Sequence, residues 1–156
     1  MFPANFLAVE RIGCQVDASS KKKILEELGK LFEGCAPGLT QDAIFDRLLE
    51  RERLGSTGLG YGIALPHARM PDLEQAHGAF LQLSAGVDFD AIDNQPVDLV
   101  FALLVPEAAT QEHLQLLAGL ATLFSQAAFC ERLRRAKDSE TLLQLLANQE
   151  LTQVGA

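Results

Sequence analysis

Basic side chains are scarce in this sequence of 156 residues. Lys and Arg number 13 against 21 Asp and Glu, which gives a formal net charge of −8 with neutral histidines. Proteins that bind nucleic acid neutralise its phosphates with a face of Lys and Arg. An acidic excess of this size argues against such a face and against a nucleic acid partner, and it leaves room only for a small positive pocket.

Cysteine is also rare. Cys14, Cys35 and Cys130 are an odd number, and no two of them have the C-x-x-C spacing of a zinc or redox site. A disulfide framework needs an even, closely spaced set in a secreted chain. We therefore interpret all three as small core or surface residues.

Long hydrophobic runs are missing as well. The longest, VDLVFALLV at 97–105, contains Asp98 and is followed by Pro106 and Glu107. A helix that crosses a bilayer needs about 20 apolar residues, so this run is typical of a buried strand. The N-terminal MFPANFLAVER lacks the basic segment, apolar core and cleavage signal of a secretory leader. We expect a cytoplasmic protein without direct membrane insertion.

Helical and strand-like patterns alternate along the chain, which favours a single α/β domain over residues 1–156 with helices covering a sheet. The patterns do not give the strand order. Strands are predicted at 5–16, 61–65, 78–84 and 97–106, with a polar connection at 86–96. A further helix is predicted around 131–137. The predicted N-caps of the other helices are Ser19 or Ser20, Thr40, Thr110, and Asp138 or Ser139.

A glycine-rich segment, RERLGSTGLGYGIALPHAR at 51–69, is the most unusual part of the sequence. Its glycines do not have the G-x-G-x-x-G spacing of a dinucleotide site, and no lysine follows them as in a P-loop. A tight turn that needs positive φ explains glycines of this kind equally well. The interpretation therefore depends on the residues that surround the loop.

Three of those residues suit a phosphoryl group. We predict that His67, directly after Pro66, closes a strand, and ligands commonly bind at strand ends in α/β sheets. His113 falls in the first turn of a predicted helix, where free N–H groups attract anions. Arg51, in the last turn of another helix, adds a positive charge. His77 is assigned no role.

Three segments carry a resemblance to a known family: residues 51–69, FDAIDNQPVDLVFALLVP at 89–106, and HLQLLAGLA at 113–121. They closely resemble the enzyme IIA domains of the bacterial phosphotransferase system, fructose/mannitol class, and within that class its nitrogen-regulatory branch. The resemblance covers nearly the whole chain. It implies a mixed β-sheet flanked by helices. Ala68 stands where glycine is frequent in the family.

The resemblance also implies a mechanism. His67 is the phosphoryl acceptor and attacks through Nε2, His113 and Arg51 stabilise the phosphate, and no metal or other cofactor takes part. The donor is a histidine phosphocarrier protein similar to HPr or NPr. Regulatory target proteins, in nitrogen, carbon or potassium control, then respond to the phosphorylation state. Leu59, Tyr61 and Met70 flank the loop and the acceptor, so we predict that they form the partner surface.

Two alternatives remain open. The chain is a sugar-specific enzyme IIA that passes phosphate to a fructose/mannitol-type permease, or it is a metal-dependent hydrolase that uses His67, His113 and a carboxylate from 87–93. The hydrolase alternative lacks the H-E-x-x-H spacing that is typical of a metal-dependent hydrolase. A triad of Ser56, His67 and an Asp is weaker still, because Ser56 is not in a G-x-S-x-G elbow.

Overall fold

The computed structural model describes residues 5–71, 73–108 and 110–148. In these ranges a short 3-10 helix, Val9–Arg11, precedes six strands and five helices. The strands are β1 (Ile12–Val16), β2 (Gly58–Gly60), β3 (Ile63–Ala64), β4 (His67–Met70), β5 (His77–Val87) and β6 (Val97–Pro106). The helices are α1 (Lys21–Phe32), α2 (Gln41–Leu54), α3 (Thr110–Phe124), α4 (Ala127–Arg135) and α5 (Ser139–Ala147).

All six strands join one mixed sheet. Five of them follow the order β1-β5-β6-β3-β2, and β4 pairs with β6 off this path. β5 and β6 are antiparallel neighbours at its centre, and β1 lies parallel to β5. β3 and β4 both run parallel to β6 along one side, β3 beside Leu99 and Val100 and β4 beside Leu103–Pro106. β2 completes a hairpin with β3. The predicted mixed α/β architecture is thus confirmed.

The sheet separates two hydrophobic cores because alternate side chains of a strand point to opposite faces. On β6, Val100 and Ala102 pack with α1 and α2, whereas Leu99 and Phe101 pack with α3, α4 and α5. β6 is buried on both faces, which explains its nearly continuous apolar run.

Side-chain caps define where three helices begin. The Ser20 hydroxyl accepts from the Lys23 N–H at 3.1 Å, and the Thr40 hydroxyl accepts from the Ala43 N–H at 3.3 Å. The Asp138 carboxylate accepts from the Thr141 N–H at 2.7 Å. Each satisfies a backbone donor that the first turn leaves free. Of the predicted pairs of caps, Ser20 and Asp138 are therefore the ones used. The long third helix begins at Thr110 itself, so Thr110 is its first residue and not the N-cap that the sequence predicts.

Several predicted boundaries were wrong. Residues 5–16 are not one strand, because the 3-10 helix interrupts them before Ile12. The segment 61–65 contributes only β3, and neither β2 nor β4 was predicted. The predicted strand 78–84 is part of the longer β5, and the helix predicted at 131–137 begins earlier, at Ala127. These differences matter most at His67, which opens β4 instead of closing a strand.

A tight turn joins β2 to β3 through three successive residues with positive φ: Gly60 at 98°, Tyr61 at 57° and Gly62 at 83°. The Tyr61 N–H donates to Asp93 Oδ2 at 2.9 Å, and Arg134 Nη2 donates to the Tyr61 carbonyl at 2.8 Å. Glycine relieves the backbone strain on both sides of Tyr61. The glycine loop is thus a hairpin fastened to the rest of the domain.

Among the described residues, no single helix is long and apolar enough to cross a membrane. Gln111–Phe124 and Ala127–Arg135 pass that test only as a pair, by length and composition, and they are bent by 79° at the break between them. The prediction of one domain over 1–156 stays a prediction, and residues 1–4 and 149–156 lie outside the described residues.

Candidate functional site

A cavity of about 350 Å³ opens where the C-terminal end of α2, the strand β4, the end of β6 and the start of α3 meet. It brings together the three residues that the sequence singled out, His67, His113 and Arg51. Its other lining residues are Arg47, Glu50, Leu54, Ala68, Arg69, Leu103, Val105, Leu114 and Leu117.

His67 is half-buried at the start of β4, paired in register with Leu103 of β6. Its Nδ1 lies 2.9 Å from the Leu65 carbonyl oxygen. A carbonyl oxygen only accepts hydrogen bonds, so Nδ1 must carry the proton in this contact and Nε2 keeps its lone pair. Nε2 is therefore the ring nitrogen whose lone pair stays free.

The surroundings of His67 also keep its ring neutral. Burial is the largest influence and lowers its pKa below the ordinary value of 6.5, while the hydrogen bond to Leu65 acts in the opposite direction. The charge of Arg51 lowers the pKa further, and that of Glu52 raises it. Since burial disfavours the charged form, the imidazole is unprotonated at neutral pH, as a nucleophile must be.

His113, in the first turn of α3, is only 5% exposed. Neither of its ring nitrogens has a hydrogen-bond partner within the described part of the chain. Burial lowers its pKa, the charge of Arg69 lowers it further, and Glu112 raises it. A neutral imidazole has one N–H donor and one acceptor nitrogen. His113 thus brings an unused donor to the lining of the cavity.

Arg51 has two roles in the geometry. Its Nη1 donates to the Gly55 carbonyl at 2.8 Å, which satisfies a backbone acceptor just past the end of α2, and the side chain also lines the cavity. The ion pairs found among the described residues do not involve it. Its charge is therefore not neutralised by a carboxylate there.

Sequence reasoning did not assign two further cations to the site. Arg47 and Arg69 also line the cavity, where Glu50 is the one carboxylate of the lining. The spacing could have predicted both. Arg47 lies four residues before Arg51, on the same face of a helix. Arg69 lies two residues after His67, on the same face of a strand. Three arginines against one carboxylate make a positive pocket on an acidic protein, as the binding of a phosphoryl group requires.

The predicted partner surface needs correction. Met70 is 3% exposed and packs in the core shared with α1 and α2, so the prediction that it lies on the surface was wrong. Leu59 and Tyr61 are 40% and 87% exposed but belong to the β2–β3 hairpin and do not line the cavity. The exposed apolar residues at the cavity are instead Leu54, at 85%, and Leu114, at 67%.

The groups needed by the hydrolase alternatives lie elsewhere. The carboxylates of 87–93 do not line the cavity, and Asp90 pairs with Lys21 at 3.5 Å. Ser56 donates its hydroxyl to the Phe89 carbonyl at 2.8 Å and is also outside the cavity lining. The residues that the structure describes contain no cluster of three or more His, Cys, Asp or Glu suited to a metal ion.

Comparison with known proteins identifies the family. Residues 5–149 match the family model for the phosphoenolpyruvate-dependent sugar phosphotransferase system, EIIA 2. The chain is 47% identical to the nitrogen regulatory protein of Pseudomonas aeruginosa, over 85% of this chain and 86% of that protein.

Solved structures show the same fold. The nitrogen regulatory protein IIA-Ntr of Neisseria meningitidis has a TM-score of 0.86 and 43% identity, covering 90% of this chain and 96% of that one. The mannitol IIA of Escherichia coli has a TM-score of 0.74 and 25% identity, covering 90% and 98%. Since the family model spans nearly all of the sequence and the fold agrees with these structures, the chain belongs to the EIIA 2 family of the phosphoenolpyruvate-dependent sugar phosphotransferase system.

Proposed function

We propose that this protein accepts a phosphoryl group on Nε2 of His67 from a histidine phosphocarrier similar to HPr or NPr, and that its phosphorylation state regulates partner proteins. The observation that carries the proposal is the hydrogen bond from His67 Nδ1 to the Leu65 carbonyl. It directs the lone pair of a neutral imidazole away from the backbone, in a residue that lines a cavity with three arginines.

The proposed transfer forms one P–N bond and breaks another. The Nε2 lone pair forms a bond to phosphorus as the P–N bond of the donor phosphohistidine breaks, and that electron pair returns to the donor's ring nitrogen. His67 keeps its Nδ1 proton, and the positive charge that develops on its ring is stabilised by the Leu65 carbonyl. Phosphoryl transfer passes through a loose transition state, so catalysis consists mostly of positioning and charge stabilisation.

The cations and His113 provide that stabilisation. Arg47, Arg51 and Arg69 bring positive charge to the three oxygens of the phosphoryl group, and His113 donates its free N–H. Preorganised donors of this kind need no reorganisation when the reaction occurs. No step requires a cofactor.

A regulatory role fits the relatives best. The matched protein from Pseudomonas aeruginosa is named a nitrogen regulatory protein, at higher identity than the mannitol IIA. Phosphorylation adds roughly two negative charges at neutral pH, which is enough to neutralise a pocket in which three arginines face one glutamate. A target in nitrogen, carbon or potassium control that contacts this surface would distinguish the two forms.

The sugar-relay alternative keeps one supporting observation, the shared fold with the mannitol IIA. The two roles differ in the next acceptor. A relay protein passes its phosphate rapidly to the cytosolic domain of a permease, whereas a regulator retains it and changes its affinity for a target. Binding of targets to the unmodified and phosphorylated forms, compared with transfer to a fructose or mannitol permease domain, separates them.

The test of the acceptor is incubation with a phosphoenolpyruvate-driven phosphorelay, followed by mass spectrometry. We expect one added phosphoryl group, stable in base and lost in acid because ring protonation makes the nitrogen a better leaving group. His67→Ala should abolish the addition. Labelling of that variant at another residue would contradict the assignment.

A further inference from the structure

Glu52 is a buried carboxylate next to Arg51, only 6% exposed in the last turn of α2. Both of its oxygens are occupied. Oε2 forms an ion pair with Lys21 Nζ at 2.7 Å, and Oε1 accepts from the Thr57 N–H at 3.0 Å and from the Thr57 hydroxyl. Buried charges are rare unless paired, and this carboxylate holds one residue of the glycine loop through two donors.

The contacts continue from Thr57 to the phosphoryl acceptor. The Leu65 N–H donates to the Thr57 carbonyl at 2.9 Å, and the Leu65 carbonyl accepts from His67 Nδ1 at 2.9 Å. A continuous path therefore runs from Lys21 through Glu52, Thr57 and the Leu65 backbone to the imidazole. Hydrogen bonds in such a series polarise and orient one another. We name Lys21, Glu52, Thr57 and the Leu65 backbone the Glu52 network.

We propose that Glu52 and Thr57 are positioning residues that hold the Leu65 carbonyl against His67 Nδ1 and thereby select the tautomer with a free Nε2 lone pair. Neither residue lines the cavity, so in this role they act through the backbone and do not touch the phosphoryl group. The charge of Glu52 also raises the pKa of His67, which is a separate effect. The importance of the tautomer for phosphorylation rests on the function proposed above. The tautomer itself is a property of the unmodified protein.

Selection is needed because the two neutral tautomers of an isolated imidazole differ little in energy, and a proton on Nε2 would block attack on phosphorus. The Leu65 carbonyl lies two residues before His67, with Pro66 between them, and β4 has not yet begun at Leu65. Leu65 is instead fixed by its N–H bond to Thr57. Without Glu52, Thr57 loses its two hydrogen bonds to the carboxylate. The bond between Thr57 and the Leu65 N–H would then no longer hold Leu65 in place.

The experiment is nitrogen-15 NMR of the unmodified protein, which distinguishes a protonated from an unprotonated Nδ1 or Nε2 of His67, together with initial phosphorylation rates. The wild type should show a protonated Nδ1. Glu52→Ala should show a mixture of tautomers and a phosphorylation rate lower by on the order of 10- to 100-fold, as expected for a misplaced reacting group. Some of its product should carry the phosphoryl group on Nδ1.

Two further variants test how the His67 tautomer depends on the contacts between Glu52 and Thr57. Thr57→Val removes the hydroxyl donor and keeps the N–H, so it should shift the tautomers in the same direction by less. Glu52→Gln keeps an acceptor for both donors of Thr57 and should restore the wild-type tautomer. The matched control is Asp98→Asn, which weakens the ion pair of Asp98 with Arg134 at 2.8 Å, by the turn of the same hairpin. It should leave the His67 spectrum unchanged.

The proposal is overturned if Glu52→Ala melts at a lower temperature yet keeps the wild-type tautomer, because the network would then be only structural. If Glu52→Ala does not fold, a wild-type tautomer in Thr57→Val has the same meaning, and a mixed one supports the proposal. A wild type that is not phosphorylated would contradict the proposed function, but the NMR result would still decide whether Glu52 and Thr57 select the tautomer.

Discussion

At the scale of the residue, His113 differs from His67 in that neither of its ring nitrogens has a partner in the described ranges. Replacement by alanine therefore breaks no hydrogen bond found there. We expect His113→Ala to fold and to slow phosphorylation or onward transfer by on the order of 10- to 100-fold, because a preorganised donor to the phosphoryl oxygens is lost. Single-turnover rates in both directions measure the effect, and unchanged rates would contradict the role.

The exposed leucines at the cavity lead to a separate prediction. Under the proposed function, Leu54→Glu and Leu114→Glu each replace an exposed apolar contact by a negative charge beside the cavity that the carrier's anionic phosphoryl group would enter. Phosphorylation by the carrier should therefore slow by about tenfold or more. Ile92→Glu is the matched control, since Ile92 is 83% exposed and does not line the cavity. Equal rates for all three variants would mean that the carrier docks elsewhere. Melting temperatures should stay near that of the wild type in each case.

Single residues also show what the sequence could reveal. Motif and spacing singled out His67, His113 and Arg51, which the structure brings to one cavity, because each lies beside a strong local signal: a proline, a helix start or a helix end. Met70 was misplaced for a physical reason. The alternation within β4 turns Ala68 and Met70 inward and leaves Arg69 outward, and that alternation is invisible until β4 is known to be a strand.

At the scale of the element, the β2–β3 turn combines positive φ with close packing. A Cβ on Gly62 would lie 2.6 Å from Arg134 Nη2 and 2.7 Å from Asp98 Oδ1. Gly38 also has positive φ, at 75°, but a Cβ there would meet nothing within 4 Å. Both alanine variants bear a left-handed backbone cost of about 1–2 kcal/mol, and Gly62→Ala must in addition displace the ion pair.

We therefore expect Gly62→Ala to lower the free energy of unfolding more than Gly38→Ala does. Urea denaturation of the two variants measures the difference, from which the common backbone cost largely cancels. Equal destabilisation would show that the Arg134 side chain moves aside freely. Phosphorylation of His67 is a second measurement on both variants. It should be little affected, because the turn lies at the opposite end of the hairpin from Thr57.

Short elements were the hardest to predict. β2 and β3 are three and two residues long, too short for the period of two to emerge from a sequence. β3 forms by pairing with β6, and β2 forms by pairing with β3, so both depend on a tertiary contact with β6. The helices, by contrast, begin at capping residues whose effect is local, so Thr40 could be identified in advance and Ser20 could be narrowed to one of two neighbouring serines.

At the scale of the whole molecule, burial lowers the pKa of all three histidines, His67, His77 and His113, below 6.5. Below that value the unfolded chain binds protons that the folded chain resists, so the free energy of unfolding must fall as the pH falls. We expect the melting temperature to decrease steadily from about pH 7.5 to about pH 5.5. Calorimetry checks this.

The same measurement on His113→Ala provides the control. This variant has one proton site fewer that resists protonation, so its melting temperature should depend less steeply on pH than that of the wild type. A wild-type melting temperature that stays constant across this range would contradict the direction of all three pKa shifts. A slope of unchanged steepness in the variant would show that His113 contributes nothing to it.

The parallel pairing of β4 with β6 has a consequence for when the site comes into being. His67 is aligned with Leu103, and the helix that carries His113 begins only after β6. During synthesis, the acceptor imidazole leaves the ribosome well before the strand that supports it and the helix that completes its pocket. Under the proposed function, nascent chains and fragments that end before Val97 would take no part in phosphate exchange. Phosphate on His67 would thus mark the chains that have finished folding.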